Sequence, residues 1–159
     1  ATLGGSGSIG GPTSILAGGI LSPGTSPGTL TITNTLSLAD TSILNFEIDA
    51  ADPSSSVFND LITGVTDLTL GGTLDLTGSG DFSTVPAGTL WRLINYSGTL
   101  TDNTLAIGTA PTLAAGLSFS VDTATDGQVN LVVVPEPGPL ALAALGLAAG
   151  LGWLRRRQA

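Results

Sequence analysis

The sequence predicts an all-β chain, a parallel β-helix or solenoid of short strands, followed by a single C-terminal transmembrane α-helix. Three observations carry that expectation. Short runs with apolar residues at every second position recur from Gly28 to Val134, bounded by Gly, Asn and Asp. The runs resemble one another and are poor in aromatics, which make up 4 % of the chain and so exclude a large aromatic core. The end of the chain holds an uncharged stretch of 16 residues, PLALAALGLAAGLGWL, with three consecutive arginines directly behind it.

Composition bounds the function as well as the fold. A length of 159 residues suits one domain with an appendage. Charged residues are 10 %, against about 25 % in ordinary soluble domains. The net charge of −8 is unevenly placed. All 12 acidic residues lie at or before Glu136, where Arg92 is the one basic residue, giving −11, and the tail carries +3. An acidic body of this kind excludes nucleic acid as a partner, since phosphate binding needs Lys and Arg. Cysteine is absent, so there is no disulfide framework, thiol nucleophile or zinc–thiolate site. Methionine is absent too, and a chain opening at Ala1 in the middle of a repeating theme reads as part of a longer protein. Earlier repeats and any signal peptide are expected upstream.

The first 28 residues are rich in Gly, Ser, Pro and Thr, as a flexible linker would be. Leu3, Ile9, Ile15–Leu16 and Ile20–Leu21 recur between the glycines, which favours very short strands with glycine at the bends. From Gly28 the theme reads GTLTI (28–32), NTLSL (34–38), SILNFEI (42–48), TDLTL (66–70), GTLDL (72–76), GTLWRL (88–93) and NTLAI (103–107). Leu30 and Ile32 share a face, as do Leu36 and Leu38, Leu44, Phe46 and Ile48, Leu68 and Leu70, and Leu74 and Leu76. Thr31, Ser37, Asn45, Glu47, Thr69 and Asp75 face the other way. LSFSV (117–121) and QVNLVVV (128–134) close the series. A solenoid and an antiparallel sandwich both fit this pattern. Self-similarity and small turn residues favour the solenoid, while uneven spacing beyond Ala50 leaves residues 50–134 as solenoid continuation or cap. AADPSSSVFND (50–60) reads as a looped-out insertion, and TLWRLIN (89–95), with Trp91 and then Tyr96, as a cap over the last rung.

Residues 1–49 resemble the autotransporter-associated β-strand repeat. GGILSPGTSPGTLTI, Gly18–Ile32, follows that family's GG-x-L-x-PG-x-SPGTL-x-I signature. The resemblance implies a right-handed parallel β-helix on an exported bacterial surface protein.

The tail begins where Val134 meets Pro135-Glu136-Pro137. Proline lacks a backbone donor and restricts its predecessor, so the sheet is expected to stop there. The apolar run 139–154 suits a helix of roughly 24 Å, short of the ~30 Å hydrocarbon core, with flanking arginines able to snorkel. Trp153 sits where an interfacial aromatic belongs, and Arg155, Arg156 and Arg157 hold the end in the cytoplasm with the acidic body outside. Gly146, Gly150 and Gly152 permit close helix packing. A buried core helix is the competing reading of a run this short, but the run is apolar on all sides and the body is too rich in small residues to bury it. The whole arrangement in residues 135–159, with motif, apolar helix and arginine cluster at the extreme C-terminus, resembles the PEP-CTERM sorting signal. That resemblance implies recognition by an exosortase, a membrane-embedded cysteine protease-like enzyme, with Pro135, Glu136 and Pro137 as the recognition residues. It further implies anchoring in the inner membrane of a Gram-negative bacterium before processing, and surface or extracellular placement afterwards.

Catalytic sets are scarce in the body. Without histidine there is no Ser-His-Asp site, and without lysine no Schiff base. Glu47 and Asp49 share a strand face and could pair as glycosidase carboxylates do, but a solvated outer face is the favoured reading, since nothing apolar is placed to raise one pKa. Asp49, Asp52 and Asp60 could offer oxygen to calcium, but in none of the spacings of known loops. Trp91, Arg92 and Tyr96 could form a sugar-stacking patch or pack a cap. The sequence thus predicts a non-enzymatic, exported structural or adhesive protein without cofactor. Its expected partners are an exosortase, the inner membrane and extracellular polysaccharide. The alternative is a polysaccharide-binding or polysaccharide-active β-helix whose site lies in an N-terminal part outside this chain.

Overall fold

Each circuit of the chain lays down three short strands, one in each of three sheets. The computed structural model describes residues 1–137. The first circuit gives β1 (Thr2–Gly5), β2 (Gly7–Ile9) and β3 (Thr13–Ile15). The second gives β4 (Ile20–Pro23), β5 (Thr29–Ile32) and β6 (Leu36–Leu38), and the third β7 (Ile43–Asp49), β8 (Leu61–Val65) and β9 (Leu68–Leu70). The fourth gives β10 (Thr73–Ser79), a 3-10 turn (Phe82–Thr84), β11 (Leu90–Tyr96) and β12 (Leu100–Asp102). β13 (Ala106–Ile107) starts a fifth, and the hairpin β14 (Leu117–Asp122) and β15 (Gln128–Pro135) ends it. The sheets run β1-β4-β7-β10-β13, β14-β15-β11-β8-β5-β2 and β12-β9-β6-β3. Every strand pairing among the first four circuits, and that of β10 with β13, is parallel. The fold is therefore mostly β, in stacked parallel sheets of the solenoid kind.

The register explains why short strands suffice. Leu3 faces Leu21, Leu21 faces Leu44, Leu44 faces Leu74, and Leu74 faces Ile107. Leu21, Leu44 and Leu74 have no exposed surface. A second column runs Leu30, Ile62, Ile94, and a third Leu36, Leu68, Leu100. A three-residue strand exposes most of its backbone alone. Stacked, it has a neighbour on each side and an aliphatic side chain above and below. The apolar faces assigned from alternation, Leu30 and Ile32 through Leu74 and Leu76, are all buried.

Spacing between circuits changes partway. Thr13 faces Leu36 and Ile20 faces Ile43, each 23 positions on. Leu36 faces Leu68 and Leu68 faces Leu100, each 32 positions on. The extra residues lie at one corner, between the first and second sheets: the strandless loop 50–60 in the third circuit and the 3-10 turn region in the fourth. At the opposite corner the chain must turn tightly. Gly72 has φ of 87°, and a Cβ there would stand 2.4 Å from the Ser42 carbonyl oxygen, so only glycine fits.

β11 departs from the sequence pattern. The repeat GTLWRL puts Leu90 on the inner face, yet Leu90 is 40 % exposed while Trp91 and Leu93 are buried. A register irregularity opposite β8 and β15 then returns Ile94 and Tyr96 to the interior. Trp91 stacks against Phe82 at 6.0 Å and meets Phe119 at a tilt at 5.9 Å, and its Nε1 donates to the Asp49 carbonyl at 2.9 Å. The large ring fills the space where the fourth circuit meets the hairpin, and that burial outweighs the aliphatic phase. The cap expected around TLWRLIN is thus not there. Trp91 and Tyr96 are core residues of a strand parallel to β8, and the closing element is the hairpin β14–β15, whose β15 runs antiparallel to β11.

The column model predicts unequal costs for two leucines. Leu74→Ala should lower unfolding free energy by about 2–5 kcal/mol, as large-to-small changes in a packed core do. Leu16→Ala, at a position 73 % exposed, should change it by less than about 0.5 kcal/mol. Urea unfolding midpoints of the two variants check this.

Candidate functional site

The tripeptide Pro135-Glu136-Pro137 begins inside the last strand. β15 pairs with β14 from Asn130 opposite Asp122 to Pro135 opposite Leu117, so the sheet runs through Pro135 rather than stopping before it. The reason is the direction of the missing donor. Val133 donates to the Thr89 carbonyl on the β11 side and accepts there from the Gly88 amide. N–H groups alternate along a strand, so the vacant N–H position of Pro135 points to the same side, beyond the start of β11, where no ladder bond is needed. Glu136 points its N–H the other way and donates to the Gly116 carbonyl at 2.8 Å. Gly116 has φ of 82°, which shapes the turn entering β14. Pro135, Glu136 and Pro137 are all exposed. The apolar run 139–154, Trp153 and Arg155–Arg157 lie outside the described residues. Among the described residues no helix is long and apolar enough to cross a membrane.

The second region is the corner loop 50–60. Its tip carries the exposed apolar pair Val57 and Phe58, 70 % and 53 % accessible. The two residues that follow are buried and fasten the loop. Asn59 accepts from the Asp49 amide at 2.6 Å and donates from Nδ2 to the carbonyls of Asp52 and Ser55. Asp60 accepts from the Gly28 amide on Oδ1 and from the Glu47 amide on Oδ2, both at 2.8 Å. A rigid base thus holds two apolar side chains in solvent. On one side of the loop a cleft of about 270 Å³ is lined by Pro53–Ser56, Asn59, Asp60, Leu61 and Arg92. On the other, Phe58 edges a groove of about 390 Å³ with Ser26, Glu47, Ile48, Thr77 and Ser79, continuing past Asn45 and Asp75 along the outer face of the first sheet.

The carboxylates do not assemble a catalytic or metal centre. Glu47 and Asp49 share the outer face of β7. Glu47 accepts from the Ser26 hydroxyl, while Asp49 accepts from the amides of Ala51 and Asp52. The Asp52 and Ala51 amides hold Asp49 below the usual carboxylate range. Burial pushes Asp60 above it, against the pull of its two amides. Among the described residues no three His, Cys, Asp or Glu converge on a point a metal could occupy. Both Asp60 oxygens are taken by backbone donors. The sugar-stacking patch fails as well, because Trp91 and Tyr96 are buried. Arg92 is held by Asn130 Oδ1 at 2.7 Å and Asn95 Oδ1 at 2.8 Å, which ties β11 to β15. Sequence reasoning missed Phe58 as the accessible aromatic. Its signal was Val57–Phe58 standing alone in a run of Asp, Pro and Ser, with no alternating neighbours to place them in a strand.

Comparison with known proteins adds two findings. Residues 133–157 match the PEP-CTERM protein-sorting motif. The chain is also similar to the adhesin BmaC autotransporter of Brucella suis biovar 1 (strain 1330), with 44 % identity over 119 residues. That alignment covers 74 % of this chain and 3 % of the adhesin, so the chain spans a small fraction of its relative's length.

The Asp60 latch has a defined pH signature. Its raised pKa means the folded state holds more protons at this site just above the ordinary carboxylate value, so its contribution falls as pH rises through that window. Asp49 has the opposite sign, its contribution being lost as pH falls through its lowered value. The stability of the native chain relative to Asp60→Asn should therefore shrink as pH rises across the acid range. Asp60→Ala, which orphans two amides, should cost roughly 1–3 kcal/mol for each. Urea melts of both variants across pH test the two statements.

Proposed function

We propose that this chain, which carries the PEP-CTERM sorting motif, is a non-enzymatic, exported structural or adhesive protein of the bacterial surface. An exosortase processes the motif and releases the body to the cell surface or extracellular matrix. The observation that carries the reading is the match at residues 133–157, which starts within the last strand of the solenoid. Similarity to an adhesin over most of the chain supports a surface role for the body. In this reading residues 1–49 are the autotransporter-associated repeat, 50–134 continue and close the solenoid, and 135–159 are the signal. Pro135, Glu136 and Pro137 are recognised, 139–154 span the inner membrane, Trp153 sits at its interface, and Arg155–Arg157 keep the end in the cytoplasm.

Adhesion fits the chemistry of the surface better than catalysis does. Three stacked sheets supply rigid faces, and the fastened loop places Val57 and Phe58 outside them. A second reading, polysaccharide binding, is favoured by the groove beside Phe58. There an aromatic face adjoins hydroxyls and the Glu47 carboxylate, groups that stack on sugar rings and accept their hydroxyl hydrogens.

Intact mass and membrane fractionation test the sorting reading. In a host with exosortase the chain should lose the mass after about Pro137 and leave the membrane fraction, whereas without the enzyme it should stay intact and membrane-bound. Glu136→Ala should abolish processing. An intact tail in both hosts would reduce residues 135–159 to an ordinary anchor. For the second reading, Phe58→Ala should remove any retention on a glycan array while leaving the urea midpoint unchanged. No retention by the native chain rejects that reading.

A further inference from the structure

The end of β15 is built asymmetrically. On the β11 side the ladder finishes at Leu90 opposite Val132, with Val133 bonded to Gly88 and Thr89 just beyond. Past that point, among the described residues, only β14 accompanies the strand. By the alternation of N–H directions Pro135 presents its main chain to the vacated side, and Pro137, just past the end of the strand, has no N–H to offer either. That edge therefore carries no donor across the motif. The one main-chain donor in Pro135-Glu136-Pro137 is the Glu136 N–H, and Gly116 already accepts it at 2.8 Å. The motif's side chains are exposed while its backbone is taken.

A protein that grips an extended segment by strand addition needs donors and acceptors along one edge of it. Here one edge has lost its donors to proline and the other belongs to β14. We propose that β14 is a strap over the sorting motif, and that the processing enzyme reaches the main chain of Pro135–Pro137 only when the end of the β14–β15 ladder opens. This inference rests on the sorting reading above. β14 is suited to such a role. It is an outermost strand of the second sheet, all six of its residues are half-buried, and among the described residues its far edge is unpaired. Terminal pairs of this kind open at far lower cost than the interior columns. The strap delays processing until the body presses against the enzyme or frays beside it, and it shields the junction from other proteases, which also need extended backbone.

The absence of cysteine makes a direct test possible. Ser118 lies opposite Val134, one step before the motif, so Ser118→Cys with Val134→Cys can bridge β14 to β15 without altering Pro135–Pro137. The full chain is followed by intact mass in an exosortase-bearing host, with the two single-cysteine variants as controls. The bridged chain should be processed about tenfold or more slowly than either control, and Ser118→Pro, which deletes a ladder donor, should be processed faster than the native chain. Processing of the bridged chain at the control rate overturns the strap and leaves the sorting reading intact. Failure of the native chain and both controls to be processed overturns the sorting reading, and the strap with it. Hydrogen exchange at the Glu136 amide is independent of the enzyme. It should be protected in the native chain and unprotected in Ser118→Pro, and exchange at the rate of a free peptide in the native chain overturns the strap by itself.

Discussion

Parallel register between successive circuits is the constraint on which everything else depends. Strands of three or four residues do not hold together singly. They persist here because Leu21 must sit on Leu44 and Leu44 on Leu74, with the backbone ladders fixed at the same time. A slip of one residue in any circuit would turn its leucines to solvent and its Thr, Ser and Asp inward. Tolerance is therefore concentrated at the corners, where residues can be added without disturbing a column. The loop 50–60 and the turn around Phe82 occupy the same corner on successive circuits. Asn59 and Asp60 show how such an insertion is returned to register, with each polar side chain bonded to the backbone of the strand it leaves or the circuit below it.

A stack of parallel circuits has no natural end, and closure here requires a change of rule. β15 reverses direction against β11, β14 turns back beside it, and the two extend the second sheet, while among the described residues the first and third sheets finish at β13 and β12. The change gathers aromatics that the repeat uses sparingly. Phe82, Trp91 and Phe119 meet where the last circuit faces the hairpin, and Arg92 with Asn130 fastens the same junction from the outer side.

Much of this was legible in the sequence, and the exceptions have physical causes. Alternation in GTLTI, NTLSL and SILNFEI identifies the buried faces because each side of those strands has one environment. The linker-like opening proves to be four strands, since Leu3 and Ile9 need only stack on Leu21 and Ile32 to be placed. Alternation fails at Leu90 and Trp91, where the size of one ring overrides the phase of the strand. The proline argument fails at Pro135 because a missing donor matters only on a side that has an acceptor. Phe58 escaped notice because nothing in its neighbours has a period. Metal and carboxylate readings around Asp49 and Asp60 went no further, because sequence does not reveal that backbone amides already occupy the oxygens.

The direct passage of β15 into the tripeptide has a mechanical consequence. A body held at that end transmits any pull along the axis of a strand flanked by β11 on one side and β14 on the other. Its hydrogen bonds lie perpendicular to that axis, so a load on the tether acts on them in shear, all together, instead of peeling them one by one. Resistance to tension is then set by the two antiparallel ladders at the base of the stack, and the leucine columns above them carry little of the force.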